Sequence, residues 1–496
     1  MACPRHVKRQ LDFHIFLFGE DMADTTVYIG RKPAYIEERN GRYLLIWDDI
    51  PNWVVVDEEA CQFITAIEGE NTGPEIAATF ESVAGTVDEA FLKQAVTNLV
   101  DARIVYEKGE EPPRFFLPPD KIMSVIIYPT NTCNLRCVMC YNTRNLLNPK
   151  RRKEEKGEEL TAEEFNNFLD QVKPFLAEEK SNLQVMGGEP LMVPEKTLKI
   201  IRHASSIVDH TSLATNGTLV TREFAKELAR MENVNVQVSL DSPYKEGHET
   251  IRGKGTFDRT IKGIKTLVEE GVTTVTNMVV HTGNAEHLNQ YYKLALQLEV
   301  TNARFIPLQL AGAGINCGLE PPPFPYLLEK AFTILKENPQ YRTLVGTDFL
   351  CSTARVCSIC GVQNWCGSAT RLLLLNADGT VYPCPNHHLP EFRAGNIRET
   401  SFAEIWEQSP VLEKIRKTYP VESINEQCAH CHVRHWCAGW CRGETYQVTK
   451  SMTAPSVKCE EIREMVIDML FRLSEDHGVF GRLIKDFGKP LSLNRL

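Results

Sequence analysis

Three cysteines lie within one short segment of the chain, IYPTNTCNLRCVMCYNTR, which spans residues 127–144. They are Cys133, Cys137 and Cys140. Disulfide bonds do not account for them, because an odd number of closely spaced thiols leaves one unpaired and the segment is too tight. Clustered thiols in a reducing compartment more often bind metals. The spacing therefore predicts a metal or cluster site with one coordination position left without a protein ligand.

A second group of cysteines lies towards the C-terminus. Of the 16 cysteines, 13 fall in the two windows 133–140 and 351–459. The second window reads Cys360-x5-Cys366-x12-Gly379-x4-Cys384, and then Cys428-x2-Cys431-x5-Cys437-x3-Cys441-x17-Cys459. From spacing alone, a pair of zinc ribbons is one use of these thiols and iron–sulfur clusters are another. The cysteines outside the windows are interpreted as core filler, namely Cys3, Cys61 and Cys317.

The composition argues against nucleic-acid and membrane partners. The 496 residues carry 55 basic and 65 acidic side chains, a formal net charge of −10, so no global basic field attracts nucleic acid or anionic lipid. No apolar run is long enough to span a bilayer. The apolar stretch near the N-terminus is interrupted by Asp12 and His14 and lacks the small-residue cleavage site of a signal peptide. We therefore expect a cytoplasmic protein.

The first 110 residues predict a separate module. AYIEERNGRYLLIW and NWVVV predict strands around a turn at Asn40–Gly41, and Asp57 caps a predicted helix in DEEACQFITAI. VDEAFLKQAVTNLVDARIVYE predicts a further helix and a strand, which gives a winged-helix-like order. Residues 30–108 carry 7 Lys and Arg against 15 Asp and Glu, a balance of 7 − 15 = −8, which disfavours DNA. We expect peptide binding at an open sheet edge, with a structural cap as the alternative.

Beyond a proline-rich linker at 110–120, buried-looking strands alternate with amphipathic helices. The strands are predicted in MSVIIYP, NLQVMGG, TSLATNG, VNVQVSLD, TTVTNMVV and ARFIPLQL. Six such units predict an α/β fold with a partial (β/α)6 barrel, in which functional groups gather at the carboxyl ends of the strands. The three cysteines follow the first strand, and 187–190, 216–217 and 239–241 follow the next three. These segments predict one site.

The motifs of this region resemble those of radical S-adenosylmethionine (SAM) enzymes. Cys133-x3-Cys137-x2-Cys140 after the first strand is the signature of that superfamily, and GGEP after the second strand is its usual companion. The resemblance implies a [4Fe–4S] cluster held by three thiolates, whose fourth iron binds SAM and cleaves it to methionine and a 5′-deoxyadenosyl radical. Zinc is the alternative, although zinc usually takes four ligands, or three and water, from separate Cys-x2-Cys pairs.

The resemblance also implies contacts with SAM. The GGEP glycines would let the backbone approach the amino group of SAM, Glu189 would shape that loop, and Ser239 and Asp241 stand where ribose and methionine contacts arise. Arg252 resembles a residue that pairs with the carboxylate of SAM, with a surface salt bridge as the alternative. The candidate residues for binding SAM are Gly187, Gly188, Glu189, Asn216, Ser239, Asp241 and Arg252.

The second cysteine window resembles the C-terminal extension called SPASM, which holds two auxiliary [4Fe–4S] clusters. The implied ligands of the first auxiliary cluster are Cys360, Cys366, Cys384 and Cys441, and those of the second are Cys428, Cys431, Cys437 and Cys459. Cys357 is an alternative to Cys360, or a free thiol. Asp378–Gly379 predicts a hairpin turn that returns Cys384 to Cys366.

The residues after Cys384 depart from one branch of the family. Sulfatase-maturating members have an acid directly after this cysteine, whereas this chain has Pro385 followed by NHH. This difference argues against the sulfatase-maturating subfamily. The general base is not identified by the sequence; the candidates are His387, His388 and Cys357, and solvated histidines in a polar loop are the alternative.

Together the motifs predict a maturase that crosslinks a ribosomally made peptide through a thioether or a carbon–carbon bond. The N-terminal module resembles the PqqD-like peptide-recognition domains of such maturases. The implied partners are a precursor peptide with a leader segment and a reductant such as flavodoxin or ferredoxin. We expect residues 1–110 to form the recognition module, 121–315 the radical SAM barrel, 345–470 the SPASM-like domain and 471–496 a tail.

Two other functions stay open from the sequence. One is a related enzyme that acts on a small molecule or a tetrapyrrole, with the N-terminal module serving only as a cap. The other is a non-catalytic scaffold stapled by metals. Iron and sulfide analysis together with the visible spectrum would separate the scaffold from both enzymes.

Overall fold

The computed structural model describes residues 26–48, 52–85, 89–110, 121–142, 159–178, 181–345 and 364–475. Several predicted features lie outside these ranges. They are Cys3, Cys357 and Cys360, residues 111–120 of the linker predicted at 110–120, and residues 476–496 of the tail predicted at 471–496.

Residues 27–107 form two small antiparallel sheets packed with helices. The strands are β1 Val27–Gly30, β2 Tyr35–Arg39, β3 Arg42–Trp47, β4 Asn52–Val56, β5 Gly69–Thr72 and β6 Val105–Glu107. The helices are α1 Glu58–Ala66, α2 Gly73–Ala84 and α3 Glu89–Asp101. One sheet has the order β5-β1-β6 and the other β2-β3-β4. The predicted strands and helices are confirmed, whereas β1, β5 and α2 were not anticipated.

Local sequence explains the start of this module. Asn40 and Gly41 both adopt positive φ, 53° and 73°, which gives the tight turn between β2 and β3. The Asp57 carboxylate accepts a hydrogen bond from the Ala60 backbone at 2.8 Å and so caps α1. Strand β3 is buried on both faces, with Leu45 towards the core of the module and Leu44 towards the main core of the protein.

A larger sheet lies at the centre of the protein. Its first six strands are β7 Ser124–Ile127, β8 Asn182–Val185, β9 His210–Thr215, β10 Val234–Ser239, β11 Thr273–Val280 and β12 Asn302–Pro307. They are parallel and pair in sequence order. All six predicted strands are confirmed. Because β7 does not pair with β12, the barrel is partial, as predicted.

Helices connect these strands and cover the sheet. They are α4 Ala162–Val172, α5 Pro194–Ala204, α6 Arg222–Ala229, α7 Lys245–Arg252, α8 Phe257–Glu269, α9 Leu288–Gln297 and α10 Phe324–Glu337. Thr161 and Glu164 form a capping box at the start of α4, and the Thr221 hydroxyl caps α6. None of the helices that the structure describes combines the length and the apolarity needed to cross a bilayer.

The C-terminal region extends the central sheet. Strands β13 Leu372–Leu375, β14 Thr380–Tyr382 and β15 Gly395–Asn396 complete the order β12-β11-β10-β9-β8-β7-β13-β14-β15. Strand β13 pairs in parallel with β7, which the sequence did not indicate. The predicted hairpin turn is confirmed, because β13 and β14 are antiparallel and Gly379 has a φ of 85° between them.

Seven helices of this region follow the hairpin in the described residues. They are α11 Phe402–Gln408, α12 Pro410–Thr418, α13 Val421–Ile424, α14 Glu426–Ala429, α15 Arg434–Cys437, α16 Arg442–Thr449 and α17 Cys459–Glu475. Helix α17 continues through the predicted domain boundary at residue 470 and packs against β4 of the N-terminal module. Short 3₁₀ turns lie at 173–175, 190–192, 285–287, 312–315, 339–344, 385–387 and 390–392.

Candidate functional site

The loop with the three barrel cysteines is held by the GGEP segment after β8. The backbone N–H groups of Gly188 and Glu189 donate to the carbonyls of Thr130 and Thr132, at 3.0 and 2.8 Å. A Cβ added to Gly188 would lie 2.2 Å from the Thr132 carbonyl oxygen. Residue 188 must therefore be glycine for the two loops to approach this closely.

The Glu189 side chain ties two strand ends together. Its carboxylate is buried and accepts hydrogen bonds from the Thr215 hydroxyl at 2.6 Å and from the Asn216 and Leu191 backbones at 2.8 and 3.1 Å. Burial raises the pKa of Glu189, and these donors oppose that rise. The Asn216 amide in turn donates to Asn134 Oδ1, inside the cysteine loop, at 2.9 Å. Both residues thus hold the loop in place.

Arg252 lies beside the cysteine loop in a buried ion pair. Its Nε is 2.5 Å from Asp241 Oδ2, and its Nη1 is 3.9 Å from Cys137 Sγ. The surface salt-bridge interpretation of Arg252 is wrong, because its side chain is only 12% exposed and that of Asp241 is 0% exposed. Burial works against the guanidinium, but Asp241 and Cys137 outweigh it and raise the pKa of Arg252. A permanent cation therefore faces the cysteines.

Asp241 and Ser239 differ in whether their side chains have hydrogen-bond partners within the protein. The second carboxylate oxygen of Asp241, Oδ1, accepts from the Val279 backbone at 3.0 Å, so both oxygens are used within the protein. Ser239 ends β10 opposite Asn277 of β11, and its half-buried hydroxyl forms no hydrogen bond with the described residues. All seven candidate SAM-binding residues lie at one rim of the sheet. Of these, Ser239 is half-buried, and the Arg252 guanidinium lies between Asp241 and Cys137.

Burial disfavours the thiolate form of the three barrel cysteines. Burial raises the pKa of Cys133 to about 11 and that of Cys140 to about 12, and it raises the pKa of Cys137 as well. Neighbouring thiols raise the pKa of Cys133 and of Cys140 further. Metal binding here must displace protons, as it does at other thiolate sites.

The described C-terminal cysteines form two groups. Cys366, Cys384 and Cys441 make up the first auxiliary group, because the pKa of Cys384 is raised by burial and then by Cys366 and Cys441. The second auxiliary group comprises Cys428, Cys431, Cys437 and Cys459. Burial raises the pKa of Cys437 to about 12, with further contributions from the other three thiols. The division matches the interleaved ligand sets that the resemblance implies, with Cys360 outside the described residues.

A single metal ion and a cluster place different demands on these cysteine groups. Within the described ranges, no three His, Cys, Asp or Glu side chains converge closely enough to hold a single metal ion. A [4Fe–4S] cluster makes a different demand, because each thiolate binds its own iron. The donor type fits iron at all three cysteine sites, since every candidate ligand is a thiol.

Two protein-family models match this chain. The radical SAM superfamily model matches residues 127–295, and the model of an iron–sulfur cluster-binding domain, SPASM, matches residues 366–432. The chain contains a radical SAM domain and a SPASM domain. These domains imply bound iron–sulfur clusters and SAM, which favours iron over the zinc alternatives.

Curated relatives of this radical SAM and SPASM chain have several activities. An AdoMet-dependent heme synthase from Methanosarcina barkeri is 29% identical over 335 residues, which are 64% of this chain and 91% of the relative. The mycofactocin maturase MftC of Mycolicibacterium smegmatis is 26% identical over 67% of this chain and 81% of its own. A cysteine-type anaerobic sulfatase-maturating enzyme of Clostridium perfringens is 26% identical over 66% of this chain and 90% of its own.

Solved structures share the fold. Native anSMEcpe with bound AdoMet superposes with a TM-score of 0.57 at 23% identity, covering 71% of this chain and 98% of that one. Streptococcus suis SuiB bound to its precursor peptide SuiA gives a TM-score of 0.55 at 16% identity, covering 86% of this chain and 98% of SuiB. At these identities the likeness establishes the α/β radical SAM fold alone.

The two histidines of the SPASM domain lie in different surroundings. His387 is completely buried, with Nδ1 3.1 Å from Cys384 Sγ and Nε2 2.7 Å from the Tyr419 hydroxyl. Burial, followed by Arg442, lowers the pKa of His387 to about 3. His388 is half-buried, and its Nδ1 is 3.3 Å from Asn142 Oδ1, just after the barrel cysteines. Of the two, only His388 is partly exposed.

Residues 309–314 link the radical SAM and SPASM domains, and we call this segment the bridge. The Ala313 N–H donates to the Cys140 carbonyl at 2.9 Å. From the same segment, the Leu310 and Gly312 N–H groups donate to Glu444 and Gln447 side chains of α16, at 2.8 and 2.9 Å. Sequence analysis missed the bridge. Its only signal was Gly312-Ala-Gly314, whose first glycine would place a Cβ 2.2 Å from the Tyr141 carbonyl oxygen.

The N-terminal module contacts the second auxiliary group, which sequence analysis also missed. The Tyr35 ring of β2 stacks on the ring of His432, with ring centroids 3.8 Å apart. His432 directly follows Cys431 in the chain. Arg434 forms an ion pair with Asp48 and donates to the Asp48 carbonyl at 2.9 Å. The module is therefore docked on the segment that carries the second group of thiols.

Proposed function

We propose that this chain is a radical SAM maturase that modifies side chains of a ribosomally synthesised peptide and joins them by a thioether or carbon–carbon bond. The proposal assigns one [4Fe–4S] cluster and SAM to Cys133, Cys137 and Cys140. It assigns two auxiliary [4Fe–4S] clusters to the two auxiliary groups, with Cys360 completing the first. In a reducing cytoplasm a flavodoxin or ferredoxin would supply the electron that cleaves SAM, and an auxiliary cluster would accept the electron that the peptide loses on crosslinking.

One observation carries the choice of a peptide as substrate. Strand β2 is an edge strand, since it pairs only with β3 among the described residues. Ile36 of this strand is 43% exposed, and its Tyr35 lies against the SPASM domain. An extended leader can pair with such an edge through main-chain hydrogen bonds and bury an exposed apolar side chain. The leader would then lie beside the second auxiliary group.

Residues of this chain would orient the bound cofactor and substrate. When bound, the barrel cluster and SAM supply the deoxyadenosyl radical that removes a hydrogen atom from the peptide. Arg252, held by Asp241, would bind the SAM carboxylate, and the Ser239 hydroxyl would bind a polar group of SAM at the end of β10. His388, between the barrel cysteines and the first auxiliary group, is the candidate proton acceptor for the peptide.

The test is an anaerobic reaction of the reconstituted protein with SAM, a reductant and the short peptides encoded beside its gene. Formation of one crosslink removes two hydrogens from the peptide, so mass spectrometry should show that loss together with 5′-deoxyadenosine. A matched peptide with a scrambled leader should react much less at low concentration. SAM cleavage without any peptide change across all candidates would contradict the proposal.

A second candidate function is modification of a tetrapyrrole. It is favoured by the similarity to the AdoMet-dependent heme synthase, which covers 64% of this chain. In that case the N-terminal module would be a structural cap, and the edge of β2 would have no ligand. Conversion of an iron tetrapyrrole, followed by its absorption spectrum, with no change in any peptide, would favour this function over the peptide maturase.

A further inference from the structure

The loop after Cys384 places an amide between two domains. The Asn386 side-chain nitrogen is 3.1 Å from Cys441 Sγ and 3.0 Å from Gln309 Oε1. Cys441 belongs to the first auxiliary group, and Gln309 begins the bridge. A primary amide has two N–H groups, so Asn386 can donate one to the sulfur and the other to the barrel residue.

The surrounding residues fix this amide in place. Gln447 of α16 donates to the Asn386 carbonyl at 2.8 Å. A Cβ added to Gly443, in the first turn of α16, would lie 2.6 Å from the Asn386 Cβ. The chain therefore brings the loop and the helix into direct contact only because residue 443 is glycine.

The chemistry of the first auxiliary group requires such donors. A cluster with thiolate ligands is anionic, and one-electron reduction adds a further negative charge. Buried anions are costly unless hydrogen bonds compensate them, and N–H donors to a cluster sulfur favour the more negative, reduced state. A donor bound to Cys441 therefore raises the reduction potential of that cluster.

We propose that Asn386 is a positioning residue that raises the reduction potential of the first auxiliary cluster by donating to Cys441, while Gln309 holds the same amide. The proposal rests on the proposed function in one respect, that the first auxiliary group binds a cluster. It also gives the NHH segment a role, since an N–H donor occupies the region where sulfatase-maturating relatives place an acid. The potential would thereby depend on the position of the bridge.

The experiment is a redox titration with dithionite, followed by electron paramagnetic resonance. It uses the full chain with Cys133, Cys137 and Cys140 changed to alanine, so that only the auxiliary clusters give a signal. We expect Asn386→Leu to lower the reduced-to-oxidised ratio of one cluster about tenfold at fixed potential, which corresponds to about 59 mV for one electron. Asn386→Asp should lower this ratio further, because it adds a negative charge beside the cluster. Gln309→Leu should lower it less, because Asn386 can still donate to Cys441 Sγ but is no longer held by Gln309.

A matched control uses the second auxiliary group. The Gln427 amide donates to Cys459 Sγ at 3.3 Å, so Gln427→Leu should shift the other signal and leave the first unchanged. If Asn386→Leu retains full iron and titrates like its parent, the inference is wrong while the proposed function stands. If Asn386→Leu loses iron, the titrations of Asn386→Asp and Gln309→Leu decide the matter. The inference is wrong if both variants retain full iron and titrate like their parent. A parent protein without auxiliary iron and sulfide would instead overturn the proposed function.

Discussion

The two auxiliary groups have the same thiol chemistry but lie next to different parts of the protein. Around the first group, Asn386 and His387 contact the thiols, and the bridge connects the domain to the carbonyl of Cys140. Around the second group, His432 and Arg434 contact the N-terminal module. The first group is therefore joined to the loop with the barrel cysteines, and the second to the part of the chain that we propose binds the leader.

This difference indicates a division of roles. In the proposed function, an electron leaving a substrate at the barrel rim would pass to the first auxiliary group, which the bridge connects to the barrel cysteine loop. The second group lies where leader binding on β2 would be felt through Tyr35 and His432. We expect changes near the barrel to alter SAM chemistry and the first cluster, and changes in the module to alter peptide use and the second cluster.

The largest effect is expected from removing the barrel thiols. Changing Cys133, Cys137 and Cys140 to alanine should lower the iron content from about twelve to about eight per chain and abolish 5′-deoxyadenosine, because no other described cysteine group lies beside GGEP. Iron and sulfide analysis and chromatography of the nucleoside measure both effects. Deoxyadenosine from this variant would place the radical site elsewhere, and zinc without sulfide in the parent would end the cluster assignment.

Arg252 offers the next test, because it combines a structural and a binding role. Arg252→Met leaves the buried Asp241 charge without its partner, which should lower the free energy of unfolding by about 3–5 kcal/mol. It should also weaken SAM binding, measured by calorimetry on the reconstituted protein. Adding Asp241→Asn removes the unpaired charge and should restore much of the stability. If the double variant also recovers SAM affinity, Arg252 serves only the fold.

The sequence alone predicted the barrel well, for a physical reason. Strands buried on both faces read as apolar runs, and cluster ligands need one residue type at short spacings. The strands at 124–127 and 273–280 and the turn at Gly379 were accordingly placed correctly. These signals are local, so they survive in a single sequence.

Contacts between distant segments could not be predicted in the same way. The pairing of β13 with β7, the bridge, and the ion pair of Asp48 with Arg434 each join residues far apart in the chain. Their residue types are ordinary, and only the fold brings them together. The sequence left the burial of Arg252 open for the same reason, because its partner Asp241 is covered by strands and helices that the motif does not show.

The proposed leader site can be tested on β2 without removing the module. Deleting residues 1–110 is a poor test, because Leu44, Ile46 and Val55 of the module belong to the main core. Ile36→Asp should instead raise the peptide concentration needed for half-maximal modification about tenfold or more, with SAM cleavage unchanged, since a charge replaces the exposed apolar contact.

High peptide concentration should rescue Ile36→Asp, because the leader acts by raising the local concentration of the core peptide. The matched control is Ala78→Asp, which places the same charge on an exposed position of α2, away from the strand edge. An unchanged concentration dependence for Ile36→Asp would mean that the leader does not use β2, and the tetrapyrrole function would gain support.

The smallest effect concerns the contact between the module and the second auxiliary group. Asp48→Ala removes the partner of Arg434, and a hydrogen bond to a charged group of this kind contributes about 1–3 kcal/mol, measured as a shift in urea unfolding. The Asp48 carbonyl would still accept from Arg434, at 2.9 Å, so the module should remain docked.

In Asp48→Ala we expect the electron paramagnetic resonance signal of the second cluster to change, while the first cluster keeps its midpoint potential. This pattern is the reverse of the one expected for Asn386→Leu. If Asp48→Ala instead shifted the first cluster, the two groups would not be separately connected, and the division of roles drawn from their neighbours would be wrong.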